Sequence, residues 1–369
     1  MIAVMGVASL TPALPKIADT LNLSKSQVAL LISAFTLPGI FLTPLAGILA
    51  DRFGRKKIIV PALFLFAISG FSIFFTADYH YIILLRILQG IGAAPIGSLN
   101  TTLIGDYYKG KKLPEAMGYN ASVLSLSTAS YPLFGGFLAA IGWYYPFIMP
   151  LLAVPVGLLV ILGVKEPEIE KPKDFTQYLK SISVSVRKRE VISIFILGIL
   201  TFIILYGAFL TYVPFLLNQN FDLSSSQIGL IISASSITTA IVSSRVGKLT
   251  AKFGSVNLLK SAFILYFFVN LLIPNITNLV LIFLPIILFG TAQALNIPSL
   301  QTLLAKLSPD ENRGAFMSLN GMVIRLGQTL GPMVIGIGYS IYGLNGAYYL
   351  GAIISLLGLL VTIRFMELK

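Results

Sequence analysis

Apolar runs of roughly 17 to 25 residues, each long enough to cross a lipid bilayer, recur about twelve times along this chain. They cover approximately 1–18, 27–50, 58–77, 81–105, 115–140, 145–164, 191–217, 227–247, 257–274, 279–305, 314–339 and 345–363. Hydrocarbon offers a backbone no hydrogen-bonding partner, and a helix satisfies its polar groups within one segment. The expectation is an all-α membrane protein with twelve transmembrane helices in two six-helix bundles. Composition agrees, with 56% hydrophobic and 11% charged residues, where a soluble chain carries about a quarter charged.

The charge follows the loops. If successive loops alternate sides, residues 51–57, 106–114, 165–190, 245–260, 306–313 and the C-terminus share one side and hold 22 of the 26 Lys and Arg. The opposite side holds Lys16 and Lys25, and Arg86 and Arg325 fall inside spans. The positive-inside rule places that basic side in the cytoplasm. An even number of spans brings both termini there, in a multi-pass protein of the cell membrane. The net charge of +12 is thus a topological signal and calls for no nucleic-acid partner.

The catalytic inventory is thin. The chain has no cysteine and one histidine, His80, which removes thiolate metal sites, cysteine nucleophiles and most histidine chemistry. A membrane-embedded enzyme would need His, Asp or Glu gathered near one interface, and the sequence shows no such cluster. No glycine loop of the nucleotide-binding kind occurs, so ATP drive is not expected. No cofactor or metal is expected, and a monomer is.

The sequence repeats with a shift of 200 residues. Leu23, Ser24, Ser26 and Gln27 recur as Leu223, Ser224, Ser226 and Gln227, and Gly47, Leu49, Phe53 and Gly54 recur as Gly247, Leu249, Phe253 and Gly254. Gly90, Met117, Asn120, Pro132 and Gly136 likewise match Gly290, Met317, Asn320, Pro332 and Gly336. Part of this is local structure, since Ser24-x-x-Gln27 and its counterpart are capping boxes. The domains are expected as 1–164, a polar cytoplasmic linker 165–190 with a short surface helix near Tyr178–Arg189, and 191–369. The same shift pairs Met1 with Thr201, well inside the seventh span, so the first span is expected to be truncated. Two parallel repeats related by an axis along the membrane normal are a frequent transporter architecture, with a substrate site at their interface.

Between the second and third spans, Gly47-Ile-Leu-Ala-Asp51-Arg52-Phe-Gly54-Arg55-Lys56-Lys57 resembles the signature loop of the major facilitator superfamily. Arg86-Ile-Leu-Gln89-Gly90-Ile-Gly92-Ala93-Ala94, running on to Gly105-Asp106, resembles the family's motif in the fourth span. Gly118, Pro132, Gly135 and Gly136 in the fifth span are similar to the antiporter pattern. Ser127 and Tyr131 depart from that pattern, and Gly327, Gly331 and Pro332 keep a fuller version in the eleventh span. The second half has Ala251 where the first has Asp51. The nearest subgroup is the twelve-helix drug/proton antiporters, which implies a secondary transporter exporting small amphipathic molecules in exchange for protons.

The resemblance implies roles. Gly47, Asp51, Arg52, Gly54, Arg55 and Asp106 become a conformational switch, with Asp51, Arg55 and Asp106 as an ion-pair cluster clamping one state. Arg86, Gln89, Asn100, Tyr206, Tyr212, Gln293 and Asn296 become candidates for the substrate or proton pathway, although Arg86 taken alone could equally snorkel to headgroups. Gly118, Pro132, Gly135, Gly136, Gly331 and Pro332 form a helix-packing motif. Arg325, eleven residues into its span, is too deep to snorkel and is assigned a structural role, bonding carbonyls freed near Gly321 or Pro332, with substrate binding as the alternative. No Asp or Glu lies in the middle of a span. Asp19 or Asp106 would therefore carry coupling protons from a helix end, and a facilitator or importer of an organic anion is the alternative function.

Overall fold

The computed structural model describes residues 2–108, 110, 112–164, 188–307 and 313–365, without the side chains of residues 51, 114, 313–315, 318 and 365. Most of the expected linker, including its surface helix, lies outside the described residues. Every regular element among those described is helical. Eleven helical segments are long and apolar enough to span a bilayer. The first six are α1 (Ile2–Thr20), α2 (Lys25–Phe53), α3 (Arg55–Phe75), α4 (Tyr79–Tyr107), α5 (Lys112–Ile141) and α6 (Tyr145–Gly163). The remainder are α7 (Arg189–Phe221), α8 (Ser225–Phe253), α9 (Ser255–Asn275), α10 (Phe283–Leu307) and α11 (Arg313–Phe365).

Helix α11 is 53 residues long, about 80 Å if straight at 1.5 Å per residue, far more than a bilayer requires. It breaks at Tyr342 (φ −141°, ψ 32°) and Gly343 (φ 59°, ψ −149°), the second conformation being one that glycine enters without strain. A Cβ on Gly338 would lie 2.5 Å from the carbonyl oxygen of Gly346. Two backbones eight residues apart meet this closely only because the chain turns back at the break.

Caps and prolines shape the other helices. The Ser24 amide donates to Gln27 Oε1 at 2.9 Å and the Gln27 amide to Ser24 Oγ at 3.2 Å, closing the capping box that starts α2. The Ser224 amide donates likewise to Gln227 Oε1 at 2.9 Å at the start of α8. Helix α1 tightens to a 3-10 turn at Thr11–Ala13, which contains Pro12. In α7 the corresponding stretch, Ile204–Tyr212, is a π-helix. Pro214 supplies no amide just beyond it, and the Thr211 hydroxyl donates to the Tyr206 carbonyl five residues back at 2.6 Å.

Helices α2 and α3 pack on α4 and α1 on α5 in the N-terminal half, as α8 and α9 do on α10 and α7 on α11 in the C-terminal half. The halves join chiefly through α5 with α8 and α2 with α11, and α1 adds smaller contacts with α7 and α8. The first crossing lies at the end away from the basic loops: a Cβ on Gly136 would sit 2.5 Å from the Ser225 carbonyl oxygen, and one on Gly229 would collide with that of Pro132. Toward the basic end the same faces of the two helices part, and Gly118 of α5 and Gly247 of α8 have nothing within 4 Å of a Cβ position. The halves therefore meet at one end and diverge at the other.

Candidate functional site

At the basic end, Gly54 (φ 104°) makes the junction between α2 and α3, and Gly254 (φ 78°) repeats it between α8 and α9. The turn places Arg55 against Asp106 of α4 in an ion pair. Both residues belong to the N-terminal half, so this pair does not itself bridge the halves. Arg52 is exposed and lies over the Phe53 ring, Gly47 is half-buried in α2, and the side chain of Asp51 is outside the described residues. Lys56 donates to the Val164 carbonyl at 3.1 Å, placing a cation at the C-terminal end of α6, where the helix dipole favours it.

Arg86 is fully buried inside the N-terminal half, away from the space between the halves and from the headgroups. Its Nε donates to the Leu31 carbonyl of α2 at 3.0 Å and its Nη1 to Gln89 Oε1 at 2.8 Å, while the guanidinium carbon lies 4.5 Å from the centre of the Phe35 ring. Gly6 of α1 and Gly70 of α3 leave room for this group, since a Cβ on either would press into Phe35 or Gln89 respectively. The surrounding shell, which includes Ser9, Leu10, Phe147 and Pro150, leaves no water-sized void. Arg86 Nη2 and Gln89 Nε2 have no hydrogen-bond partner among the described residues. Asn100, further along α4, accepts no such isolation: its amide donates to Asn120 of α5 at 2.7 Å.

In the C-terminal half, Tyr206 and Tyr212 both lie in the π-helical stretch of α7 and are buried. The Tyr212 ring stacks on Tyr339 with centroids 5.4 Å apart. Asn296 of α10 accepts from the Thr201 hydroxyl at 3.0 Å. One turn along the same helix, Gln293 is buried and neither of its amide atoms has a partner among the described residues. Buried amides are ordinarily satisfied, so Gln293 is a place where water or a bound molecule would complete the bonding.

The packing glycines divide. Gly135 lies against the Ser9 backbone of α1, Gly136 and Pro132 meet α8, and Gly331 meets Gly207 of α7, with Pro332 adjacent in α11. Gly118 has nothing within 4 Å of a Cβ position and takes no part in these contacts.

Sequence reasoning misses a polar seam between the halves. Ser33 and Thr36 of α2 bond Thr329 of α11, while Gly39 and Thr43 face Arg325 and Gly321. The signal in the sequence is the spacing: 33, 36, 39 and 43 form one face of a helix, and 321, 325 and 329 form another. Beyond it, Lys25 lies 5.4 Å from the ring centres of both Phe215 and Tyr339. A cleft of about 260 Å³ between the halves is lined there by Lys16, Asp19, Ala140, Asn218 and Ser225.

A helical membrane chain with halves sealed at one end around a polar seam and parted at the other has the form of a secondary transporter. The chain belongs to the Major Facilitator Superfamily, whose family model matches residues 1–274 and 216–369. It is 28% identical over 368 residues to multidrug resistance protein 1 of Bacillus subtilis (strain 168), covering 99% of this chain and 93% of that one. Its fold is similar to that of a mutant of the nucleoside transporter NupG, at 15% identity and a TM-score of 0.78 over 99% of this chain and 97% of that one. It is also similar to a bacterial homolog of the human lysosomal transporter Spinster, solved in an inward-facing and unoccupied conformation, at 18% identity and a TM-score of 0.77 over 99% and 96% of the two chains. The protein is a transporter and not an enzyme.

Proposed function

We propose that this chain exports small amphipathic molecules, drugs among them, across the cell membrane in exchange for protons by alternating access, and that the conformation described is its inward-facing state. The observation that carries this reading is the one-sided closure: Gly136 against Ser225 and Gly229 against Pro132 at one end, with Gly118 and Gly247 on the same helix faces meeting nothing at the end bearing the basic loops. The likeness to a multidrug resistance protein supports the substrate class. The break at Tyr342–Gly343 supports counting α11 as two spans, which gives twelve in two bundles, 1–164 and 191–369, joined by the 165–190 linker with both termini cytoplasmic. One chain supplies both halves of the seam and both walls of the pathway, consistent with a monomer. Asp19, in the cleft between the halves, and Asp106, paired to Arg55, are the carboxylates best placed to carry coupling protons.

The test is reconstitution in vesicles containing a pH indicator, with fluorescent amphipathic dyes applied under an imposed proton gradient. Dye movement accompanied by dye-dependent proton flux is expected. Dye movement that is the same with and without the gradient would overturn proton coupling.

A further inference from the structure

We propose that Arg325 docks an anionic headgroup, so that the amphipathic molecules this transporter carries include carboxylates held against Arg325 midway along the pathway. The inference rests on the export reading and narrows its substrate class. Arg325 stands about 18 Å along α11 from Arg313 at 1.5 Å per residue, near the middle of a hydrocarbon core about 30 Å thick. Its side chain crosses from the C-terminal half into a notch made by two glycines of the other half. A Cβ on Gly39 of α2 would lie 2.8 Å from Arg325 Cδ, and one on Gly97 of α4 would lie 3.2 Å from Nη2. Any larger residue at Gly39 would displace the arginine.

The charge is not balanced by the protein. Among the described residues, the side chain's one hydrogen bond runs from Nη1 to Gln328 Oε1 at 3.2 Å, out of five N–H donors. Tyr206 of α7 lies close enough to interact electrostatically, yet the sequence has no Asp or Glu in the middle of any span. Arg86 is the contrast: two acceptors and an aromatic face surround it and no void adjoins it. Arg325 is only half-buried and Gly97 beside it is exposed, so its guanidinium edge adjoins open space. A cation in a membrane interior faces protein partners or a water-filled path, and here the partners are too few. A carboxylate would meet the planar fork with two charge-assisted bonds. The basic loops at the open end raise the local concentration of anions in the same direction. Since Arg325 touches both halves, an anion bound there would also sit where their motion is felt.

The experiment uses the full chain in nanodiscs and three probes sharing one fluorophore: dansylglycine, its methyl ester, and the ammonium compound dansylethylenediamine. Wild type is expected to bind the carboxylate about tenfold more tightly than either analogue, the size of a desolvated charge-assisted contact. Arg325→Gln is expected to abolish that preference while leaving ester binding unchanged. Gly97→Ala, which crowds Nη2 without removing charge, is expected to weaken the carboxylate selectively. Equal or tighter binding of the ammonium probe by wild type would overturn the inference. Loss of dansylglycine binding when phosphatidylglycerol is added to phosphatidylcholine discs would overturn it in favour of a lipid headgroup, and unchanged binding would support a substrate. In proteoliposomes, transport of all three probes without preference overturns this inference and leaves export standing. Failure to move any amphipathic dye overturns the export reading itself.

Discussion

The hydroxyl of Thr329 in α11 lies 2.8 Å from that of Thr36 in α2, and the Ser33 hydroxyl donates to the Thr329 carbonyl at 2.8 Å. Three side chains thus tie the halves together across residues 296 positions apart in sequence. Interhelical hydrogen bonds in membrane proteins average about 0.6 kcal/mol, enough to bias an equilibrium about threefold. That is the right scale for a contact that must break on every cycle.

Thr329→Val keeps the shape and deletes the bond, so it is expected to raise the population open at the end away from the basic loops about threefold. The chain has no cysteine, so spin labels can be placed specifically at residues 78 and 278, which are exposed on the two halves at that end. Double electron-electron resonance between them would show a longer-distance component growing in the mutant. An unchanged distribution would mean that the seam does not set the balance.

Gly229→Ala attacks the same closure through sterics. Its Cβ would run into the Pro132 carbonyl, and overpacking of this kind costs about 1–3 kcal/mol. Helices α5 and α8 must separate to relieve it, so the melting temperature should fall and the same two labels should move apart. Gly118→Ala, where nothing lies within 4 Å, should do neither.

Asp106→Asn removes the partner of Arg55. Because the pair is partly exposed, the expected loss is about 1 kcal/mol or less, and a double-mutant cycle with Arg55→Gln in thermal melts would measure it. Asp51→Asn should impair transport with insertion intact, since Arg52, Arg55, Lys56 and Lys57 still fix the loop's side. Transport at the wild-type rate by both variants would remove the loop from the mechanism.

Arg86→Lys keeps the charge but cannot reach Leu31 and Gln89 in the same geometry. Breaking one side of a buried charged network costs about 3–5 kcal/mol, so thermal stability should drop sharply, and Arg86→Met should not restore it because the Leu31 carbonyl and Gln89 lose a donor. A Lys variant as stable as wild type would show that Arg86 is not held as the geometry indicates.

What the sequence disclosed was local. The two capping boxes and the first ten spans follow from spacings within one segment, and each formed close to where the residues place it, whereas the last two expected spans run on as the single helix α11. Arg86 could not be located this way. A charge one and a half turns inside a span reads the same whether it reaches headgroups or is swallowed by its own bundle, and only Gly6 and Gly70, on other helices, create the space that swallows it. The Ser33–Thr36–Thr329 seam was hidden for a similar reason. Single hydroxyls in membrane helices usually bond something nearby, and nothing in α2 announces that its partner is in α11. Arg325 showed its depth in sequence, but Gly39 and Gly97, which let it cross between halves, have no sequence relation to it.

The 3-10 turn at Thr11–Ala13 and the π-helix at Ile204–Tyr212 fall at the same address in the two repeats, since Thr11 and Thr211 are related by the shift of 200. One backbone is wound tighter than an α-helix there and the other looser, so the side chains that follow are turned in opposite senses. A substitution at one address therefore cannot serve as a proxy for its twin, because the same residue number in the shift faces a different neighbour in each half.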